Sequence, residues 1–439
     1  MRSATNSRLA LVFILITVLI DVIGVGIIIP VLPHLIQDLI ALRPNTDGTI
    51  AQAAVWGGWL LFVYAAMQFL FSPVLGNLSD RYGRRPVLLL SLLGLTLDYI
   101  LMGVAWSIWL LFVGRVLSGI MGAAISTATA YIADISQKEN RARNFGYIGA
   151  AVGVGFILGP VIGGQLGEFG PRVPFFVAAG LAFANFLYGY FVLPESLKKS
   201  NRRPFDFSRA NPFSAIFGFR AFPIVLSSLL ALMLFSLASQ VLPSVWTFFT
   251  IERFSWTPGQ VGISLGIFGL MFAVVQGILV GPTLKRFGEL ATAILGLVFA
   301  AIGFFGLAFI HTPVGLYLYL VPAALGGLFV PGINGLMANR MPDNRQGELQ
   351  GAVNAVNSIS SIFGPIAATS LFSYYTSSSQ APGYFPGVPF FAAGIAILVA
   401  IGILIAVWVM RRKKRAERAA AAALAAKATE AAKAPADSG

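Results

Sequence analysis

A succession of apolar stretches, each about twenty residues or longer and parted by short polar breaks, constrains this chain more than any other feature. An α-helix rises about 1.5 Å per residue, so about twenty residues cross a hydrocarbon core of about 30 Å. Water cannot be the main solvent: 57% of the 439 residues are hydrophobic and 11% are charged, against about 25% charged in soluble domains. Twelve spans are expected, near residues 8–33, 54–77, 87–105, 107–133, 143–167, 173–193, 221–249, 259–283, 290–310, 315–338, 346–373 and 386–410. The first apolar run, from about Leu9 to Leu35, exceeds the ~7–15 residues of a signal-peptide core and reads as a retained span.

The formal charge of +13 could suggest nucleic acid, but its distribution argues otherwise. Under the twelve-span reading, 26 of the 30 Lys and Arg lie on the side of both termini. Arg43, Arg172 and Arg253 lie on the other side, and Arg115 falls within a span. The positive-inside rule makes the richer side cytoplasmic, so the basic surplus is a topology signal and no nucleic-acid partner is expected. Four segments follow: a six-helix bundle over 1–193, a cytoplasmic linker over 194–220 carrying Lys198, Lys199, Arg202, Arg203, Arg209 and Arg220, a second six-helix bundle over 221–410, and a tail over 411–439. The tail opens Arg-Arg-Lys-Lys-Arg and turns alanine-rich, which reads as a basic juxtamembrane anchor ahead of a frayed or disordered segment.

The two halves match at one constant offset of 205 residues: Gly76, Arg81 and Gly83 with Gly281, Arg286 and Gly288, Gly146 and Ala150 with Gly351 and Ala355, and Gly159-Pro160 with Gly364-Pro365. Shared offsets at three separate places indicate a six-plus-six duplication. Parallel repeats of this kind alternate access around a site near the bilayer midplane. The expected fold is therefore all-α, with twelve transmembrane helices in two pseudo-symmetric six-helix bundles.

Four groups of residues carry candidate chemistry. The first is the segment Gly76 to Pro86 between spans 2 and 3, where Gly76 and Gly83 permit close packing and a tight turn, and Pro86 can open span 3. Ser79 and Asp80 stand there among Arg81, Arg84 and Arg85, a switchable charge cluster. In span 5, Gly155, Gly159, Gly163 and Gly167 repeat every four residues with Pro160 among them, a pattern that lets helices approach closely and bend. Within apolar spans stand Asp21, Asp98 and Arg115. Each costs ~2.5–3.5 kcal/mol at a helix centre, so each needs a cavity or a partner. These groups suit a proton carrier, or alternatively an inert ion pair such as Asp21 with Arg115. The spans of the second half hold no charged residue beyond Glu348 at the very start of span 11, but Trp246, Phe248, Gln276, Asn334, Asn354 and Asn357 can line a pocket facing Tyr64 and Gln68, which lie one helical turn apart. Any single amide can instead serve as interhelical glue.

Together these residues resemble the major facilitator superfamily and, within it, the twelve-span tetracycline/proton antiporters. The likeness runs from Asp21 with Gly24, Gly26, Pro30 and Pro33, through Tyr64–Gln68, the Gly76–Pro86 loop, the stretches around Asp98 and Arg115, and the Gly-Pro of span 5, to Arg345–Gly351. The resemblance implies a cytoplasmic gate of Gly76, Ser79, Asp80, Arg81, Gly83 and Arg84, latched by Asp134 against the loop arginines. It places Asp21 and Asp98 on the polar translocation path and Gln68 in the substrate pocket. Those antiporters carry an acid in span 9 where this chain has Ala300, so coupling here would rest on Asp21 and Asp98, or the cargo differs.

The expected activity is proton-coupled efflux of tetracycline-like or other amphipathic compounds, without enzymatic chemistry or cofactor and drawing on a proton gradient. A metabolite importer is the alternative, and an intramembrane aspartyl protease using Asp21 and Asp98 a remote one. No phosphate-binding loop for an ATP-driven pump occurs. The absence of cysteine excludes disulfides and thiolate sites, and His34 and His311 lie in different halves, so no metal centre is expected. A monomer in a bacterial inner membrane, touching lipid and a small-molecule substrate, completes the expectation.

Overall fold

A computed structural model describes residues 2–42, 48–122, 124–137, 139–204, 223–377, 383–406 and 408–409. The expected linker is thus described only over 194–204, and the basic tail lies outside the described residues. The helices are α1 (Arg2–Ile28), α2 (Leu32–Ala41), α3 (Ile50–Tyr82), α4 (Arg84–Gly103), α5 (Ile108–Met121), α6 (Ala124–Ile135), α7 (Arg141–Gly167) and α8 (Val173–Val192). After the connector follow α9 (Pro223–Ser239), α10 (Val241–Phe254), α11 (Pro258–Val274), α12 (Val280–Ala308), α13 (Pro313–Leu325), α14 (Phe329–Ala338), α15 (Gln346–Thr376) and α16 (Val388–Ala406).

Eleven helical stretches among the described residues are long and apolar enough to cross a membrane. One of them, Pro258–Ala308, is 51 residues long, enough at helical rise for two crossings of a ~30 Å core. Gly288, with φ +76° and ψ 175°, breaks the helix there, so this stretch supplies two of the twelve expected spans.

Several spans are not the single helices expected. Span 1 stops at Ile28, and Pro33 in the first turn of α2 has no N–H to continue a ladder, so a short second helix begins. Span 4, expected over 107–133, is α5 capped at Gly122 and then α6. Span 7 breaks at Gln240 between α9 and α10. Span 10 tightens into a 3₁₀ turn at Gly326–Leu328, just after Pro322.

The 205-residue offset has a backbone counterpart. Gly83 (φ +110°) and Gly288 (φ +76°) both adopt the left-handed region, each turning the chain from one crossing into the next. Beside each turn lies the same kind of polar bridge, with the charges changed. Arg84 Nε donates to Asp134 Oδ2 at 3.2 Å, while at the corresponding positions Asn339 Nδ2 donates to Glu289 Oε1 at 2.6 Å.

Residues before and after the connector meet mainly along two helix pairs, α7 with α11 and α3 with α15, and α10 also touches α3. The glycines of α7 serve two neighbours. A Cβ on Gly155 would lie 2.7 Å from Val22 Cβ and one on Gly159 2.8 Å from Gly26 Cα, both on α1, whereas one on Gly164 would lie 3.0 Å from Gly262 Cα on α11. Such approaches are open only to residues without side chains. Gly76, expected to pack closely, does not: a Cβ there would meet nothing within 4 Å, because it lies on an open face of α3 while Leu75 and Ser79 beside it are buried.

The α7–α11 contact is confined to one end of the helix pair. Toward the face away from the connector it is tight, from Ile157 against Gly269 to Gly167 against Pro258. Toward the connector face, Gly146, Gly149 and Gly153 on α7, and Gly277 and Gly281 beyond α11, have no heavy atom within 4 Å of where a Cβ would sit. The molecule is closed on the face away from the connector and parted on the connector face.

Candidate functional site

Where the helix pairs converge lies a cavity of about 260 Å³ bounded from both sides of the connector. Tyr64 and Gln68 line it from α3, Arg115 from α5, and Phe156 from α7. From the second half come Gln240, Ser244 and Thr247, with Phe248, Ser361 and Pro365. Tyr64 and Gln68, placed together by their spacing, are hydrogen-bonded: Gln68 Nε2 donates to Tyr64 Oη at 3.3 Å and to the Gly122 carbonyl at 3.2 Å. The end of α5 at Gly122 makes that carbonyl free, since the last helix carbonyls lack intrahelical partners.

Behind this wall, Arg115 is buried and paired with Asp98, Nη2 to Oδ2 3.1 Å, and its guanidinium lies 5.7 Å from the centre of the Tyr64 ring. The considered pairing of Asp21 with Arg115 is therefore not the one formed. α4 and α5 are adjacent antiparallel helices that place Asp98 opposite Arg115, while Asp21 stands on α1. Asp98 Oδ2 is held by a guanidinium rather than by a second carboxyl, so the proton-sharing dyad of an aspartyl protease is not built at this oxygen. Asp21 is buried, at 9% exposure, and its Oδ1 has no hydrogen-bond partner. One turn beyond it, Val25 lines the cavity, which puts Asp21 on the cavity-facing stripe of α1. The Tyr99 ring packs against Gly24, so α4 reaches α1 beside this carboxyl.

The other expected pocket residues divide. Trp246 does not line the cavity: it is 1% exposed and donates Nε1–H to Ser264 Oγ at 2.9 Å, because this face of α10 turns into its own half. Gln276 borders a separate chamber and donates to the Gly327 carbonyl at 3.0 Å. Asn334 is half-buried on α14, its Oδ1 without a partner. Asn354 and Asn357 are exposed on α15, on the helical stripe that continues to Ser361, and Asn357 Oδ1 accepts from Ser236 Oγ at 3.0 Å. One turn along, Gln240 Nε2 donates to Ser361 Oγ at 3.0 Å. Gln240, Ser244 and Ser361 escaped the sequence reading, although a glutamine followed by a proline inside an apolar span was the available signal.

At the connector face, Arg84 gathers the loop. Its Nη1 pairs with Asp80 and donates to Ser79 Oγ at 2.6 Å, and its Nε reaches Asp134. Arg81 lies outside this knot, with its guanidinium 5.2 Å from the Tyr82 ring centre. Two further members come from the connector. Glu195 accepts the Arg84 and Arg85 backbone N–H groups at 2.9 and 3.3 Å, an anion on the start of α4, and Ser196 Oγ donates to Asp134 Oδ2 at 3.2 Å. Gly83 is enforced twice, by its φ and because a Cβ would lie 2.8 Å from Glu195 Cδ.

On the opposite face one carboxylate joins the halves. Glu168, just past α7, accepts the Gly259 backbone N–H at 2.8 Å and a hydrogen bond from the Thr257 hydroxyl at the start of α11. These donors favour the charged form and hold the carboxyl below its ordinary range. His34 stands near Glu168 and Asp38, and burial lowers its pKa.

The family model described as the Major Facilitator Superfamily matches residues 14–365 and 229–436. Among characterised proteins, the chain is 40% identical over 367 residues to the class C tetracycline resistance protein of Escherichia coli, covering 84% of this chain and 90% of that one. It is 27% identical over 422 residues to multidrug resistance protein 2 of Bacillus subtilis, covering 94% and 99%. Among solved structures, a nucleoside transporter superposes with a TM-score of 0.73 at 12% identity, covering 90% of this chain and 99% of that chain.

Proposed function

The chain belongs to the major facilitator superfamily, and from that premise we propose that it exports tetracycline-like or other amphipathic compounds from the bacterial cytoplasm in exchange for protons. The observation that carries the reading is the pair of unlike carboxylates beside a cavity shared by both halves. Each leaves its Oδ1 unpartnered, but Asp98 is paired with Arg115 through Oδ2, whereas Asp21 forms no ion pair among the described residues. A carboxyl without a counter-ion in an apolar span is stable there mainly when it can take up a proton, and it suits a carrier whose surroundings alternate. The relatives named for tetracycline and multidrug resistance support the cargo class. The shape supports alternating access, being closed on one face and parted on the other.

By the positive-inside reading, the connector face is cytoplasmic, so the cavity opens toward the source of the drug. Residues 1–193 and 221–410 then rock about the cavity as two bundles joined by 194–220. Gln68, Gln240, Ser244 and Ser361 offer hydrogen bonds to the polar edge of the cargo, and Phe156 and Phe248 offer ring faces. The chain works as a monomer in the inner membrane with no cofactor beyond the proton gradient.

Inverted membrane vesicles test the reading. Asp21→Asn is expected to abolish proton-driven accumulation of tetracycline while leaving substrate counterflow, which needs the cavity and the conformational change but no net proton movement. Undiminished proton-driven accumulation in that variant would overturn the assignment of Asp21.

A further inference from the structure

We infer that the apolar chamber between α7 and α11 is a second compartment of the substrate site, holding the hydrophobic ring system of a cargo whose polar edge occupies the central cavity. The inference rests on the export reading above. The chamber has a volume of about 840 Å³, and it is continuous with the cavity in its walls: Ile29, Phe156 and Pro243 border both. The central cavity alone, about 260 Å³, falls short of the ~300–1,000 Å³ usual for sites that enclose drug-sized molecules. The chamber supplies the missing room.

Its walls define the occupant. Phe156, Phe268 and Phe272 present aromatic faces, and the opposite room exists because α7 carries no side chain at Gly149 and Gly153, where a Cβ would meet nothing within 4 Å. Gln276 is the amide at the far wall. With its nitrogen committed to Gly327 at 3.0 Å, it offers an oxygen acceptor. A sugar or other small polar metabolite placed here would leave hydroxyls buried without hydrogen-bond partners, which burial in an apolar wall penalises. A flat, fused-ring amphiphile with one hydrogen-bonding edge satisfies both compartments at once. A lipid acyl chain would fit the chamber but has nothing to place against Gln68, Gln240 and Ser361.

The chain has no cysteine, so a single introduced thiol reports on one position. In inverted vesicles, the thiol introduced by Gly153→Cys is expected to react with a membrane-permeant maleimide about tenfold more slowly when tetracycline is present at about ten times its Kd. The thiol from Gly146→Cys, three residues before the first α7 residue that lines the chamber, Gly149, and itself outside it, is expected to be unaffected. As a second measure, Gly153→Phe fills open space and should raise KM severalfold, while Gly146→Phe leaves KM unchanged. Transport without protection at Gly153→Cys, or an unchanged KM in Gly153→Phe, overturns the second compartment and assigns the chamber to lipid. If the unsubstituted chain transports neither tetracycline nor ethidium, the export reading itself fails, and this inference with it.

Discussion

At the scale of single residues, the buried pair of Asp98 and Arg115 sets the clearest energetic test. Asp98 has no exposed side-chain surface and Arg115 retains 9%. Breaking such a pair from one side costs ~3–5 kcal/mol because a charge is left buried alone, whereas replacing both partners with apolar groups is often near neutral. Arg115→Met should therefore lower the thermal unfolding midpoint in detergent substantially, and Asp98→Leu with Arg115→Met should recover most of that loss. Equal losses in the single and double variants would show that the pair is not what stabilises this corner. The cost of a charge in lipid made Asp21, Asp98 and Arg115 legible in the sequence, but the pairing was not. Which carboxylate meets Arg115 depends on α4 and α5 being adjacent, a fact of packing that spacing along the chain does not carry. Trp246 and Phe248 make the same point: both are apolar in the same helix, two residues apart, and only the rotation of α10 decides that one faces Ser264 and the other the cavity.

At the scale of elements, the two glycine turns separate backbone strain from crowding. Gly83 and Gly288 share the left-handed region, but only Gly83 also has the Glu195 carboxylate where a Cβ would go; at Gly288 that space is empty. Gly288→Ala should cost ~1–2 kcal/mol for the backbone alone. Gly83→Ala should cost more and should also expel Glu195 from the start of α4, loosening the charge cluster. Thermal unfolding of the two variants compares the costs, and equal losses would remove Glu195 from the account. The spans, their number and the 205-residue repeat were readable because hydropathy and turn glycines are local signals. The breaks inside spans 4, 7 and 10 were not read, although Gly122, Pro243 and Pro322 with Gly326-Gly327 stand at or beside them, because the hydropathy that marks a span runs across each without a gap. Those breaks matter because one of them delivers Gln240 to the cavity.

At the scale of the whole molecule, closure away from the connector leans on a contact that solvent can reach. The Glu168 carboxylate on the start of α11 is exposed, so it is worth at most about 1 kcal/mol, yet that shifts a two-state population about fivefold. Its carboxyl is held below the ordinary value of 4.5, so the contact is complete above that value and is lost only as pH falls through the lowered one. Spin labels introduced by Phe169→Cys and Gln260→Cys should show longer distances in Glu168→Ala, a smaller shift in Glu168→Gln, and no change between pH 8 and pH 6 in the chain that keeps Glu168. Identical distance distributions in all three would leave the glycine packing of α7 and α11 as the whole of the closure.

The parting of α7 from α11 on the connector face has a pharmacological consequence. The cycle must bring those two helices together each time the molecule opens the other way, so a rigid compound lodged between Gly149 and Phe272 would act as a wedge. Such a compound would hold the space that the ring system of the cargo needs, so it would block the pump in competition with the antibiotic, and raising the drug concentration would relieve the block.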